Sequence, residues 1–186
     1  MPLLQRILSG LVCLVLLAAG PAGAQSPSSP IWETGFDYFF HQSFDIDRRP
    51  LRGAGLVSHW DRSLWTRDWC RLDLRLEFQA GGVSNHASGL ELGLIPGLRA
   101  YFNPIGTWRP FLEAGVGPSY NTMDIQELGT GFNFLSYGGL GLRLRLTATT
   151  GLEMGYRLRH LSNAGLDERN HGVTSHQCQA GVSWEF

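Results

Sequence analysis

Between Arg71 and Ala80 the chain reads Arg-Leu-Asp-Leu-Arg-Leu-Glu-Phe-Gln-Ala, so that Leu72, Leu74, Leu76 and Phe78 alternate with Arg71, Asp73, Arg75 and Glu77. A repeat of two describes a β-strand, because successive side chains of an extended backbone point to opposite faces. The same pattern sets Leu140, Leu142, Leu144 and Leu146 against Gly141, Arg143 and Arg145, and Leu90, Leu92, Leu94 and Leu98 against Glu91, Gly93 and Arg99. It also sets Leu112, Ala114 and Val116 against Glu113, Gly115 and Gly117. One face of each segment is wholly apolar and the other is charged or glycine. The chain is therefore expected to be all-β, and each of its two faces needs a surrounding that suits it.

Periodicity alone does not say which face lies inside. In a secreted soluble barrel that carries small apolar ligands the leucines point inward; in an outer-membrane barrel they point to lipid and the charges pack within. The N-terminus narrows the choice. Arg6 followed by the apolar run Ile7 to Ala19 and the small-x-small site Ala22-Gly23-Ala24 reads as a signal peptide over 1–24, with cleavage before Gln25. Cys13 sits inside the apolar run rather than at its end, which argues against a lipoprotein. After residue 24 no apolar run reaches the roughly 20 residues of a membrane-spanning helix.

Export, strands of about 10 residues, faces mixing Arg with Asp and Glu, and aromatic residues near strand ends fit an outer-membrane barrel. Those aromatics are Trp60, Trp65, Trp69, Tyr101, Trp108 and Tyr120. Predicted strands cover 32–42, 52–61, 70–80, 88–102, 108–118, 131–146, 150–162 and 173–186, so residues 25–186 are read as a single eight-stranded antiparallel transmembrane β-barrel. Short links such as 147–149 alternate with longer ones such as 121–130. The last strand alternates through Val182, Trp184 and Phe186, and a terminal aromatic after such a strand resembles the assembly signal of bacterial outer-membrane barrels. Eight strands enclose a space only wide enough for side chains, so no pore is expected.

Composition closes off other classes. All 15 basic residues are Arg, against 16 acidic residues, and a net charge of −1 provides no footprint for nucleic acid. Cys70 and Cys178 fall on strands that are not neighbours and are expected to be free thiols; His41, His59, His86 and His171 have no compact ligand spacing, so neither metal nor cofactor is expected. Glu153, Arg157, Arg159, Arg143, Arg145, Glu113, Asp73, Arg75 and Glu77 are read as an interior salt-bridge network.

The polar exception lies in the last hairpin. The seventh strand places Leu152, Met154, Tyr156, Leu158, His160 and Ser162 on one face, with Glu153, Arg157 and Arg159 on the other. His160 and Ser162 thus share the lipid side, and with both termini periplasmic they fall near the outer rim, at the depth of lipopolysaccharide. An imidazole there is costly without partners or a task. At positions i and i+2 of a strand it can act as general base for a hydroxyl. On spacing alone, two interfacial polar residues at a strand end explain the pattern equally.

The segment His160-Leu161-Ser162-Asn163-Ala164-Gly165, followed by Asn170-His171-Gly172, resembles the active-site segment of the lipid A 3-O-deacylases of the PagL type, in which H-x-S-N-A-G precedes N-x-G-x-E. The likeness in strand count and alternation extends over the mature chain, but these roughly 15 residues carry most of its weight. The resemblance implies a serine esterase that hydrolyses an ester-linked acyl chain of lipid A in the outer membrane. By position, His160 is implied as base, Ser162 as nucleophile, and Asn170 with the backbone at Gly165 as oxyanion donors. Thr174 stands where the family has the Glu that orients the base. Thr174 can accept a hydrogen bond but carries no charge. Asp167 and Glu168, in the connecting loop, are the other candidates for a third member, each equally readable as a solvated carboxylate. His176, two residues further on the same face, either supplements the site or caps the apolar belt. A barrel of the same fold that lacks activity and has a structural or lipid-binding role is the alternative. Lipid A and outer-membrane lipids are the implied partners, and a homodimer is left open.

Overall fold

The computed structural model describes residues 31–44, 50–85, 88–125, 127–168 and 171–186. The export signal expected over 1–24, His86 and Asn170 lie outside the described residues. Eight strands follow in order: β1 Trp32–Ser43, β2 Arg52–Arg67, β3 Cys70–Ser84, β4 Gly89–Phe102, β5 Trp108–Asn121, β6 Phe132–Arg145, β7 Thr150–Ser162 and β8 Val173–Glu185. Each pairs antiparallel with its sequence neighbours, and β1 pairs with β8 from Glu33↔Glu185 to Ser43↔Ser175, closing the barrel. Closure leaves no strand edge without a partner, which a sheet in hydrocarbon requires.

Four strands run further than their predicted spans, β1 to Ser43, β5 to Asn121, and β2 and β3 furthest. β2 continues past residue 61 to Arg67 across a bulge between Ser63 and Trp65, which shifts the register against β3 and breaks the alternation that marks a strand in sequence. β3 continues past residue 80 through Gly81 and Gly82, which have no side chains to reveal a face.

The orientation of the faces is that of a membrane barrel. Phe78 is 50% exposed while its neighbour Glu77 is fully buried, and the exposed leucines of β3, β4 and β6 form an apolar outer belt. A soluble barrel with leucines inside is the reverse of this arrangement. All six tryptophans lie toward the end that carries the termini, and Trp32 stacks on Trp60 at 5.0 Å between ring centroids. At that end the links are short, residues 68–69, 103–107 and 146–149, whereas residues 122–131 and 163–172 connect strands at the other end. Short periplasmic turns and longer outer loops are the rule for such barrels.

Inside, the expected ion network is present. Arg75 grips Asp61 with both Nε and Nη2 at 2.7 Å; Arg99 bonds Glu113 at 2.8 Å and Glu153 at 2.5 Å; Arg157 bonds Glu113 at 2.6 Å and Glu77 at 2.5 Å. Arg143 bonds Glu33 at 3.0 Å and also meets Glu185, Arg71 lies 3.0 Å from Asp73, and Arg159 bonds Glu91 at 2.5 Å. Arg145 is a correction: it has the inward parity, yet it ends β6 and is exposed, beyond the enclosed part of the barrel. Tyr101 is another. It shares the inward parity of Arg99 and is buried, its hydroxyl accepting from Arg99 at 2.9 Å, so it belongs to the network and not to the aromatic belt. Cys70 is buried, Cys178 is exposed on the outer face, and both are free.

Candidate active site

His160 lies on the outer face of β7, level with Ser136 on β6 and Thr174 on β8. Its Nδ1 is 2.8 Å from Thr174 Oγ1. Directly opposite residues on antiparallel strands bring their side chains together, so the register alone aims the Thr174 hydroxyl at the imidazole. Ser162 sits two residues further toward the outer end of the same face, about 7 Å along the strand, level with Phe134. All three polar residues are half-buried, whereas Leu152, Met154 and Tyr156 below them are exposed to the apolar belt.

The chain then turns sharply. Ala164 has φ 55° and Gly165 φ 88°, two successive residues in the left-handed region, which a residue with a Cβ such as Ala164 adopts only when its surroundings impose it. Asn163 imposes it. Fully buried, it accepts the Gly165 N–H on Oδ1 at 2.9 Å and donates from Nδ2 to the Leu128 carbonyl at 2.8 Å. Gly172, φ 70°, leads the chain back toward β8 and donates its N–H to the Glu127 carbonyl at 3.0 Å. A Cβ at position 172 would fall 2.6 Å from His160 Cε1 and 2.7 Å from Nε2, so only glycine lets the backbone lie against the edge of this imidazole.

The structure thus brings together His160, Ser162 and Thr174 on one face, with Gly165 in the adjoining turn. Gly165 directs its N–H to Asn163 in this state. Asp167 is half-buried and Glu168 is exposed in the loop over 163–172, and the group at His160 Nδ1 is the Thr174 hydroxyl. His176 engages Tyr156: its Nδ1 hydrogen-bonds the Tyr156 hydroxyl, and its ring lies 4.1 Å from that of Phe44. It faces Leu158, one step deeper than His160, and so caps part of the apolar belt. Sequence reading missed Asn163 and Leu128 as structural partners. The signal for Leu128 is the apolar spacing of Met123, Ile125 and Leu128 in a segment otherwise read only as a link.

A separate group of possible metal ligands, Asp37, His59 and Glu153, lies inside the barrel with ligand atoms within 4.8 Å of one another. Arg75 approaches His59 Nδ1 at 2.9 Å and Arg99 bonds Glu153 at 2.5 Å. The Arg99 guanidinium counters Glu153 there, while Asp37 faces the His59 ring at 3.8 Å, so the group adjoins the interior ion network.

The fold and the placement of its polar group define a class: an outer-membrane β-barrel that carries a half-buried polar group on its lipid face. Residues 53–183 match the family model described as lipid A 3-O-deacylase, PagL, and the chain belongs to that family. The lipid A deacylase PagL of Pseudomonas aeruginosa is 33% identical over 129 residues, which are 66% of this chain and 71% of that protein. The crystal structure of the outer membrane enzyme PagL aligns with a TM-score of 0.62 and 28% identity over 78% of this chain and 97% of that one. Neisserial surface protein A, at 14% identity and a TM-score of 0.56 over 83% of this chain and 97% of that one, shares the fold. The protein is accordingly one of the outer membrane.

Proposed function

We propose that this chain is a serine esterase that removes an ester-linked acyl chain from lipid A in the outer leaflet. The observation that carries the reading is the 2.8 Å contact between His160 Nδ1 and Thr174 Oγ1, beside Ser162, on the lipid side of the outer rim. With its Nδ1–H donated to Thr174, the imidazole presents Nε2 as the free base. Ser162 Oγ attacks the ester carbonyl carbon while Nε2 takes its proton. The oxyanion is held by Asn170 and by the backbone at Gly165, whose N–H turns from Asn163 toward substrate, as contacts in such sites tighten only when substrate binds. The imidazolium then protonates the departing sugar oxygen. Water, deprotonated by His160, attacks the acyl-serine carbonyl, the imidazolium returns that proton to Ser162 Oγ as the bond breaks, and the fatty acid leaves. No cofactor enters this sequence. Lipid A purified from cells with and without the protein, compared by mass spectrometry, is expected to differ by one acyl chain; identical acylation in both would sink the proposal.

Thr174 sets the rate in this reading. A threonine hydroxyl orients the imidazole but does not offset the charge that develops on it, whereas a triad acid does both and is worth about 10⁴-fold in subtilisin. Thr174→Glu is therefore expected to raise kcat by at least about 10-fold, well inside that range, and Thr174→Val to lower it. Turnover unchanged by either substitution would show that Thr174 does not act on the base.

The same residue supports the second reading, a barrel that has lost turnover and retains a structural or lipid-binding role. An inactive wild type in which Thr174→Glu creates deacylation would decide for it.

A further inference from the structure

Met123, Ile125 and Leu128 lie on the connection between β5 and β6, at the outer end of the barrel, where a simple link would be polar. All three are buried in one cluster that also contains Leu161 and Val173. Those two residues have a special position. Leu161 separates His160 from Ser162 on β7, and Val173 precedes Thr174 on β8, each pointing inward where its neighbours point outward. The apolar plug therefore presses from inside on the same two strand ends whose outer face carries the polar group.

The same connection also holds the loop over 163–172 at both ends. Two consecutive carbonyls, Glu127 O and Leu128 O, accept hydrogen bonds from Gly172 N at 3.0 Å and from Asn163 Nδ2 at 2.8 Å. Asn163 directly follows Ser162, and Gly172 lies against His160. One short stretch of backbone thus touches the residues next to both members of the dyad.

The geometry points to the β5–β6 connection as the element that sets the spacing of Ser162 and His160, with Leu128 as its positioning residue. The Leu128 side chain, 1% exposed, seats the connection in the barrel end. Its own carbonyl and that of Glu127 then fix the loop. This rests on the reading of Ser162 and His160 as a catalytic pair, and adds that a residue outside the last hairpin governs their geometry. Positioning matters steeply, since a shift of about 1 Å at a reacting group can cost about 100-fold in rate.

The test compares Leu128→Ala with Val83→Ala in the mature protein refolded in detergent, with purified lipid A as substrate. Val83 belongs to the same buried cluster but lies on β3, outside the β5–β6 connection that hydrogen-bonds Asn163 and Gly172. Leu128→Ala is expected to lower kcat by about 100-fold with KM little changed, Leu128→Met to restore most of it, and Val83→Ala to stay near wild type. Hydrogen–deuterium exchange of the segment 161–174 should rise in Leu128→Ala alone. Should Leu128→Ala fail to fold, Leu128→Val carries the same comparison with a smaller truncation. Equal losses from Leu128→Ala and Val83→Ala, or unchanged kcat and exchange in a folded Leu128→Ala barrel, overturn the proposal. If the wild type itself does not deacylate lipid A, the reading of Ser162 and His160 fails instead. Exchange over 161–174 still decides this one: a rise confined to Leu128→Ala supports it, and no rise overturns it.

Discussion

Ser162→Ala in a folded barrel is expected to lower deacylation of lipid A by several orders of magnitude in kcat, toward the roughly 10⁶ lost when the nucleophile of a serine acyl-transfer site is removed. In the proposed mechanism the two act as a unit, so His160→Ala should cost a similar amount: without the base the hydroxyl stays protonated, and without the hydroxyl the base has no nucleophile to serve. The double substitution should therefore be little worse than either single one. Asn170→Ala should cost less, about 10² to 10³, as one of the two proposed oxyanion donors. Both dyad residues lie on the outer face, away from the interior ion network, so heat-modifiable migration on gels should show every one of these variants folded. Wild-type turnover in a folded Ser162→Ala barrel would remove Ser162 from the mechanism.

The second large effect concerns the interior. Arg99 is fully buried and bonds Glu113, Glu153 and the Tyr101 hydroxyl. Arg99→Met keeps most of the volume but leaves two carboxylates without that partner in a space closed to bulk water. Removing one side of such a pair costs about 3 to 5 kcal/mol, because the remaining charge stays desolvated. That is a large part of the roughly 5 to 15 kcal/mol by which a domain of this kind is stable. Arg145→Met, at the exposed end of β6, should change stability by no more than about 0.5 kcal/mol. Urea unfolding of the two variants in lipid vesicles measures the difference. Equal midpoints would mean that the network contributes nothing that an exposed arginine does not.

How far these features could be read in the sequence depends on whether they are local. The strands and their two faces were legible because alternation is a property of adjacent residues, and parity alone placed His160, Ser162 and Thr174 on one side. Tyr101 is read with the strand-end aromatics, although its parity with Arg99 already points inward, where it is buried. Parity misplaced Arg145, since it states a direction and not whether the barrel still encloses the residue. The bulge in β2 was hidden because it interrupts the very signal by which a strand is recognised. The least legible feature is the bond from Asn163 to Leu128, 35 residues apart, which exists only once the barrel has closed and brought two outer connections side by side. The match of residues 53–183 to a deacylase family shows the family, which H-x-S spacing alone does not, but neither indicates what supports the 163–172 loop from inside.

The half-buried polar group on the lipid side of β7 and β8 has a consequence for how this protein must be assayed. In the proposed reaction the substrate reaches Ser162 by moving within the leaflet and is met in two dimensions. What governs the encounter is its share of the surrounding surface, while its amount per volume of solution matters little. Inert lipid added to a vesicle at fixed protein and fixed lipid A should slow the reaction, though every bulk concentration is unchanged. Kinetic constants for such a barrel belong in mole fractions.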